Sequence, residues 1–239
     1  AKVVSKKTKR YASTLHRYIY GAEKLADGSS LFFLRENDDP VTMVYLVDEA
    51  SMLGESDSGA DLLGDFIRFA FGPEPEHEKR KVILIGDPSQ LPPVGSERSP
   101  ALDASRLQQL YDLNVMEYEM TEVKRQTLDS GILLNATLLR RQIAENVPYQ
   151  QIYLQTKHKE DIQIIENGQD VIDLFCSLYD PEQPDKVIVL CYSNFLAAKI
   201  NQQIRNVLFH EPTELMAGDR ILVVKNNYFW LGKESKAGL

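Results

Sequence analysis

Val44-Tyr45-Leu46-Val47 runs straight into Asp48-Glu49-Ala50-Ser51, and Val82-Ile83-Leu84-Ile85 runs into Gly86-Asp87-Pro88-Ser89-Gln90-Leu91-Pro92-Pro93-Val94-Gly95. Each is a run of four apolar residues that ends at a carboxylate, and about forty residues separate the two. A short apolar run bounded by turn residues reads as a fully buried strand of a parallel sheet. Ligands of open α/β sheets sit beyond the carboxyl ends of such strands. The two acid-tipped strands therefore predict a metal–nucleotide site rather than a surface cluster of acids.

Outward from these strands the pattern alternates strand and helix, which predicts an α/β protein. Leu15 to Ile19 reads as the end of a helix, and Ser29 to Glu36 as a short strand or hairpin. Leu62, Leu63, Phe66, Ile67 and Ala70 recur at helical spacing and predict a helix over 60–71. Further strands are expected at 115–120, 161–165, 187–190 and 221–224. Further helices are expected at 132–144, at 170–178, and through Leu196, Ile200, Ile204 and Val207. A domain boundary is placed near Glu119 to Thr127, giving domains 1–120 and 121–239.

The totals narrow the class. A chain of 239 residues holds one large domain or two ordinary ones. Its 43% hydrophobic and 26% charged residues fit a globular chain, and no apolar run approaches the roughly 18 residues of a membrane span. Ala1 to Arg10 is basic but lacks the apolar core of a signal peptide. A cytoplasmic protein with no membrane partner is expected. Cys176 and Cys191 lie in apolar segments and read as buried free thiols, while the four scattered histidines make a zinc site improbable. The net charge of −8 argues against a generally basic nucleic-acid coat but permits a local basic groove.

The residue types at the strand ends carry specific chemistry. One of two adjacent carboxylates, Asp48 and Glu49, can hold magnesium while the other orients or deprotonates an attacking water. Gly86 permits close backbone approach. Gln90 is neutral with a donor and an acceptor, and can bridge a terminal phosphate and a water. Leu91-Pro92-Pro93-Val94 is rigid and apolar, suited to passing movement to another surface.

These motifs resemble those of superfamily 1 DNA helicases of the RecD/Dda-like group. DEAS (48–51) resembles motif II, and GDPSQLPPVG (86–95) resembles motif III. Thr121-Glu122-Val123-Lys124-Arg125-Gln126 resembles motif IV, and Ser13-Thr14-Leu15-His16 the end of the motif Ia region. Tyr192-Ser193-Asn194, a helix with Asn201 and Arg205, and Gly218-Asp219-Arg220 are similar to segments of the second motor domain. The ordered set covers nearly the whole chain. The resemblance implies two RecA-like parallel-sheet domains, both incomplete, with a small β-hairpin insertion at 21–42 in the first. It also implies ATP and Mg2+ as cofactors, 5′→3′ polarity, single-stranded and forked DNA as partners, and subunits of a recombination or repair complex as further partners.

By the same resemblance Asp48 helps hold magnesium, and Glu49 is the catalytic base, touching the ion only through water. Gln90 senses the γ-phosphate, Gly86 and Asp87 contribute to the nucleotide site, and Arg125 is an arginine finger. The chain departs from the family in two places. No G-x-x-x-x-G-K-[ST] phosphate loop occurs, and motifs V and VI are absent. The chain thus reads as a fragment cut at both ends, expected to hydrolyse ATP alone no faster than a blank.

DNA contacts are expected at Thr14 as a phosphate donor and His16 as a stacking ring, with a helix-capping role for His16 equally open. Lys6, Lys7, Lys9 and Arg10 read as backbone contacts or as a solvated helix face. Phe32 and Phe33 are adjacent in an expected strand, so one faces in and one out, and one of them is a candidate strand-separating wedge. Two other classes compete. One is a non-enzymatic nucleic-acid-binding module descended from such a motor. The other is a DNA-packaging or AAA-type motor, disfavoured by GDPSQLPPVG and TEVKRQ occurring together.

Overall fold

The computed structural model describes residues 1–24, 30–54, 61–72, 79–93, 95–122, 130–157, 160–209 and 215–221. The chain divides into two compact units, Ala1–Gln155 and Thr156–Leu239.

The first unit opens with helices α1 (Lys2–Thr8) and α2 (Leu15–Ile19). An antiparallel hairpin follows, β1 (Tyr20–Lys24) with β2 (Ser30–Leu34), in the register Gly21↔Phe33 and Ala22↔Phe32. Strand β3 (Val44–Val47) then leads through helix α3 (Leu62–Phe71) to strand β4 (Lys81–Leu84), and the two strands pair in parallel. Helices α4 (Ala104–Tyr111) and α5 (Gly131–Ala144) follow. The result is mixed α/β, with one small parallel and one small antiparallel sheet among the described residues.

Helix α3 forms where the spacing predicts it. Asp61 caps its start by accepting from the Gly64 amide at 2.9 Å, and Gly72 ends it at φ 51°, a backbone setting that favours glycine. Leu63, Phe66, Ile67 and Ala70 bury one face against Tyr45 of β3, with Phe69 beside them. The Phe66 and Tyr45 rings meet edge-on at 5.8 Å. Full burial of a side chain like Phe66 stabilises by about 1.5–3 kcal/mol.

A polar knot closes the far side of this core. Arg80 is buried, and its guanidinium donates to the carbonyls of Ala70 (3.1 Å), Pro40 (3.4 Å), Asn37 (3.4 Å) and Asp39. The phenols of Tyr18 and Tyr45 donate to the Asp39 carboxylate at 2.6 and 2.8 Å. Burial, opposed by Asn37 and reinforced by Asp39, pushes the Tyr45 phenol up to about 12.

Several expectations are corrected. β3 and β4 are buried on one face, not both: Tyr45 is 7% exposed whereas Leu46 is 68% and Ile83 47%. Helix α3 covers the inner face, and no described element covers the outer one. Residues 115–120, 161–165 and 187–190 are not strands. A strand exists only where a neighbour takes its backbone hydrogen bonds, and these stretches have no ladder partner among the described residues. Of 221–224 only Ile221 is described, and it is not in a strand. Cys176 and Cys191 are free, as expected, but half-buried.

The expected boundary near Glu119 to Thr127 and the end of the first compact unit differ, and residues 123–129 lie outside those described. The first unit reaches Gln155 because two buried amides on α5 hold the following chain. Asn135 donates to the Gln155 carbonyl and accepts from its amide, both at 2.7 Å. Gln142 does the same with Tyr153, at 3.2 and 3.1 Å. Two side chains thereby take the place of a neighbouring strand.

The second unit contains helices α6 (Gly168–Leu178) and α7 (Asn194–Phe209). Arg205 of α7 grips Asp219 with two hydrogen bonds, 2.9 and 2.8 Å, and the Met216 amide adds a third at 2.8 Å. The Gly218-Asp219-Arg220 turn is thus pinned to the helix. Arg205 beside Asp219 holds that carboxyl below the usual carboxylate range, with help from the Met216 amide.

Candidate nucleotide site

Parallel pairing with Val47 opposite Leu84 brings both strand ends out at one edge. The backbone ladder continues past the strands. Ile85 donates to the Val47 carbonyl at 2.8 Å, and Ala50 donates to the Ile85 carbonyl at 2.9 Å. The DEAS turn and the GDPSQ loop are therefore bonded to each other at their roots.

Between those bonds the chain reverses sharply at Glu49, whose backbone is left-handed at φ 57°, ψ 38°. Four described non-glycine residues have positive φ. Lys9, Asp112 and Asn146 follow helix ends, where that conformation is common, but Glu49 follows a strand. A glutamate held there is strained, and such strain persists where the surroundings over-determine it. Those surroundings are visible: the next two residues, Ala50 and Ser51, are fully buried. Asp48 and Glu49 themselves point into solvent, the Asp48 carboxylate accepting from the Glu49 amide at 3.1 Å.

The facing loop is equally constrained. A β-carbon on Gly86 would lie 2.9 Å from the Ser51 backbone nitrogen, so glycine lets the two turns touch. Asp87 then organises the loop, its carboxylate accepting from the Ser89 amide at 2.9 Å and its carbonyl from the Gln90 amide at 3.0 Å. Arg140 of α5 forms an ion pair with the same carboxylate. Gln90 is exposed at the end of this turn. Pro93 packs back over Gly54, where an added β-carbon would meet its ring at 2.7 Å, while Leu91 stands 83% exposed.

The structure thus gathers Asp48, Glu49, Gly86 and the turn carrying Gln90 at one strand edge. Asp87 belongs to the same loop with its carboxylate committed to Ser89 and Arg140. Arg125 lies outside the described residues. Thr14 and His16 are exposed at the start of α2, where the Thr14 hydroxyl makes no capping bond and the His16 ring tilts against Tyr20 at 5.7 Å. Phe32 and Phe33 occupy opposite faces of the hairpin, but both are exposed, at 60% and 47%, so neither is a core residue. The Phe33 ring lies across Gly21 and lines a cavity of about 550 Å³ with Tyr18, Arg35, Asn37 and Phe69.

Sequence reasoning missed Arg140, which lies 53 positions from its partner. No spacing rule connects a helical arginine to a strand-end loop at that distance. It also missed the left-handed backbone of Glu49, which no residue type announced.

The donor set suits magnesium. No group of three or more His, Cys, Asp or Glu side chains among the described residues could cage a metal. Magnesium characteristically takes only one or two carboxylates, its other positions going to water and phosphate oxygens. The exposed carboxylate of Asp48 fits that mode. Among the described residues no helix is long and apolar enough to cross a membrane.

Compared with known families, residues 1–158 match a family described as an AAA domain. No curated protein matches the chain.

Proposed function

The chain belongs to the AAA domain family, a P-loop NTPase family associated with superfamily 1 helicase-like proteins, and from that premise we propose that it is part of an ATP-dependent DNA helicase working 5′→3′. Membership makes it a nucleotide-binding protein of the NTPase class. The family's description carries the name of the AAA-type motors, while GDPSQLPPVG and TEVKRQ occurring together favour the helicase.

One observation carries the reading: the Ala50–Ile85 bond and the Gly86–Ser51 approach lock the Asp48-Glu49 turn against the Gln90 loop. A carboxylate pair and a neutral amide on one rigid edge suit nucleotide hydrolysis, which depends on positioning and charge stabilisation. Asp48 holds magnesium, which when bound neutralises charge on the phosphates. Glu49 takes the proton of the attacking water, its exposed side chain aimed by the left-handed backbone. Gln90 bridges the terminal phosphate and that water. Arg125 stabilises the charge that develops in the transition state. In this reading the two motor domains are RecA-like. DNA runs past Thr14 and His16, and the hairpin with Phe32 and Phe33 meets the duplex at the fork.

The test is Glu49→Gln in the product of the full open reading frame, assayed for ATP turnover stimulated by single-stranded DNA. Turnover falls about 10²- to 10⁴-fold, while ATP binding persists. Turnover equal to the unsubstituted protein overturns the helicase reading. Single-strand binding without any ATP turnover in the unsubstituted protein also overturns it, in favour of the non-enzymatic binding module.

A further inference from the structure

We infer that Arg140 is a positioning residue that sets the conformation of the Gln90 turn through Asp87. The inference rests on the proposed nucleotide-hydrolysing role of that turn for its catalytic consequence, but its structural half stands alone.

Three bonds make the chain of action. Arg140 pairs with one oxygen of the Asp87 carboxylate, and the other oxygen accepts from the Ser89 amide at 2.9 Å. The Asp87 carbonyl accepts from the Gln90 amide at 3.0 Å. Asp87 is therefore the pivot of the turn, and one end of that pivot is tied to a different element. Its side chain is only 25% exposed, against 52% for Arg140, so the pair lies at the margin of the protein rather than free in solvent.

An ion pair at the surface, with one partner half exposed, contributes little to stability. Its value lies instead in geometry. Without Arg140 the Asp87 carboxylate keeps one short-range bond and can rotate about its side-chain torsions, releasing the Ser89 amide. With Arg140 the carboxylate plane is fixed from both sides, and so is the backbone that carries Gln90. Helix α5 begins directly after the segment containing Arg125. The same helix thus follows one proposed phosphate contact in sequence and braces the other in space. The Arg140–Asp87 pair thus links α5 directly to the turn that carries Gln90.

The test compares Arg140→Ala, Arg140→Lys and Glu49→Gln. Amide hydrogen exchange on the 239-residue chain reads the structural half. Arg140→Ala speeds exchange at Ser89 and Gln90 by about two- to fivefold, leaves β4 unchanged, and Arg140→Lys restores part of the protection. Unchanged protection at both amides in Arg140→Ala overturns the inference. Faster exchange spread over β4 and α3 also overturns it, since that marks general loosening.

Turnover of the full open reading frame's product reads the catalytic half. Arg140→Ala lowers kcat for ATP about tenfold or more with KM little changed, and lysine recovers part of the loss. A kcat equal to wild type in Arg140→Ala, alongside a dead Glu49→Gln, overturns the inference and leaves the helicase reading standing. Full turnover in Glu49→Gln overturns the helicase reading, and the exchange data then decide the positioning role by themselves.

Discussion

Gly86 and Ser51 approach so closely that a single β-carbon on Gly86 would sit 2.9 Å from the Ser51 backbone nitrogen, and equally close to a methyl group of Leu102. A leucine methyl can rotate away, but the backbone nitrogen of the fully buried Ser51 cannot. The contact joins the two loops that carry every described candidate catalytic group.

Gly86→Ala should therefore force the two loops apart. Overpacking of this kind costs about 1–3 kcal/mol, read as a lower urea midpoint at unchanged slope. A midpoint equal to wild type would show that the turns are less tightly apposed than the structure has them.

Glu49 stores strain in its left-handed backbone. Asparagine adopts that conformation more readily, so Glu49→Asn should raise stability by about 1 kcal/mol while removing turnover in the full-length protein. The gain in stability with loss of activity is the signature of a site residue. A loss of stability in equilibrium unfolding would mean that the glutamate side chain itself holds the turn.

Asn135 and Gln142 bond the backbone of Gln155 and Tyr153. Asn135→Leu keeps the volume but strips partners from both polar groups of Gln155. The expected loss is about 1–2 kcal/mol, with faster amide exchange at Gln155 and Tyr153 and no change in β3. Retained protection at Gln155 would show that another group holds the segment.

Arg205 holds the Asp219 carboxyl below its ordinary range. A carboxyl with a lowered native pKa adds stability that is fully present above the unfolded value, about pH 4, and is lost as pH falls through the native value. Arg205→Gln should abolish that acid-side dependence, so the variant loses less stability than wild type between neutral pH and acid. Parallel acid-unfolding profiles would exclude a contribution from this pair.

Phe32 and Phe33 are both exposed on the hairpin. Changing both to alanine in the full-length protein should lower duplex unwinding more than single-strand-stimulated ATP hydrolysis, because stacking is worth about 1–3 kcal/mol per base. Equal losses in the two assays would mark the rings as structural.

The sequence by itself determined the elements whose signal is local. Four apolar residues ending at a carboxylate gave β3 and β4 and the edge where Asp48, Glu49, Gly86 and Gln90 collect. The i, i+3, i+4 spacing of Leu63, Phe66, Ile67 and Ala70 gave α3, and the apolar run Leu31 to Leu34 gave a short strand or hairpin, which the structure resolves as one strand paired with Tyr20–Lys24. Pairing and burial depend on what lies opposite, and only the tertiary structure decided them. Residues 115–120 and 187–190 have the composition of strands but no described neighbour to take their hydrogen bonds, so they are not strands. Leu46 and Ile83 are as apolar as Tyr45, yet only the face under α3 is covered. The first unit ends after Gln155 because two amides on α5 satisfy the backbone there. Arg140 braces Asp87 across 53 positions for the same reason. A hydrogen bond is set by distance in space, and a one-dimensional pattern records only distance along the chain.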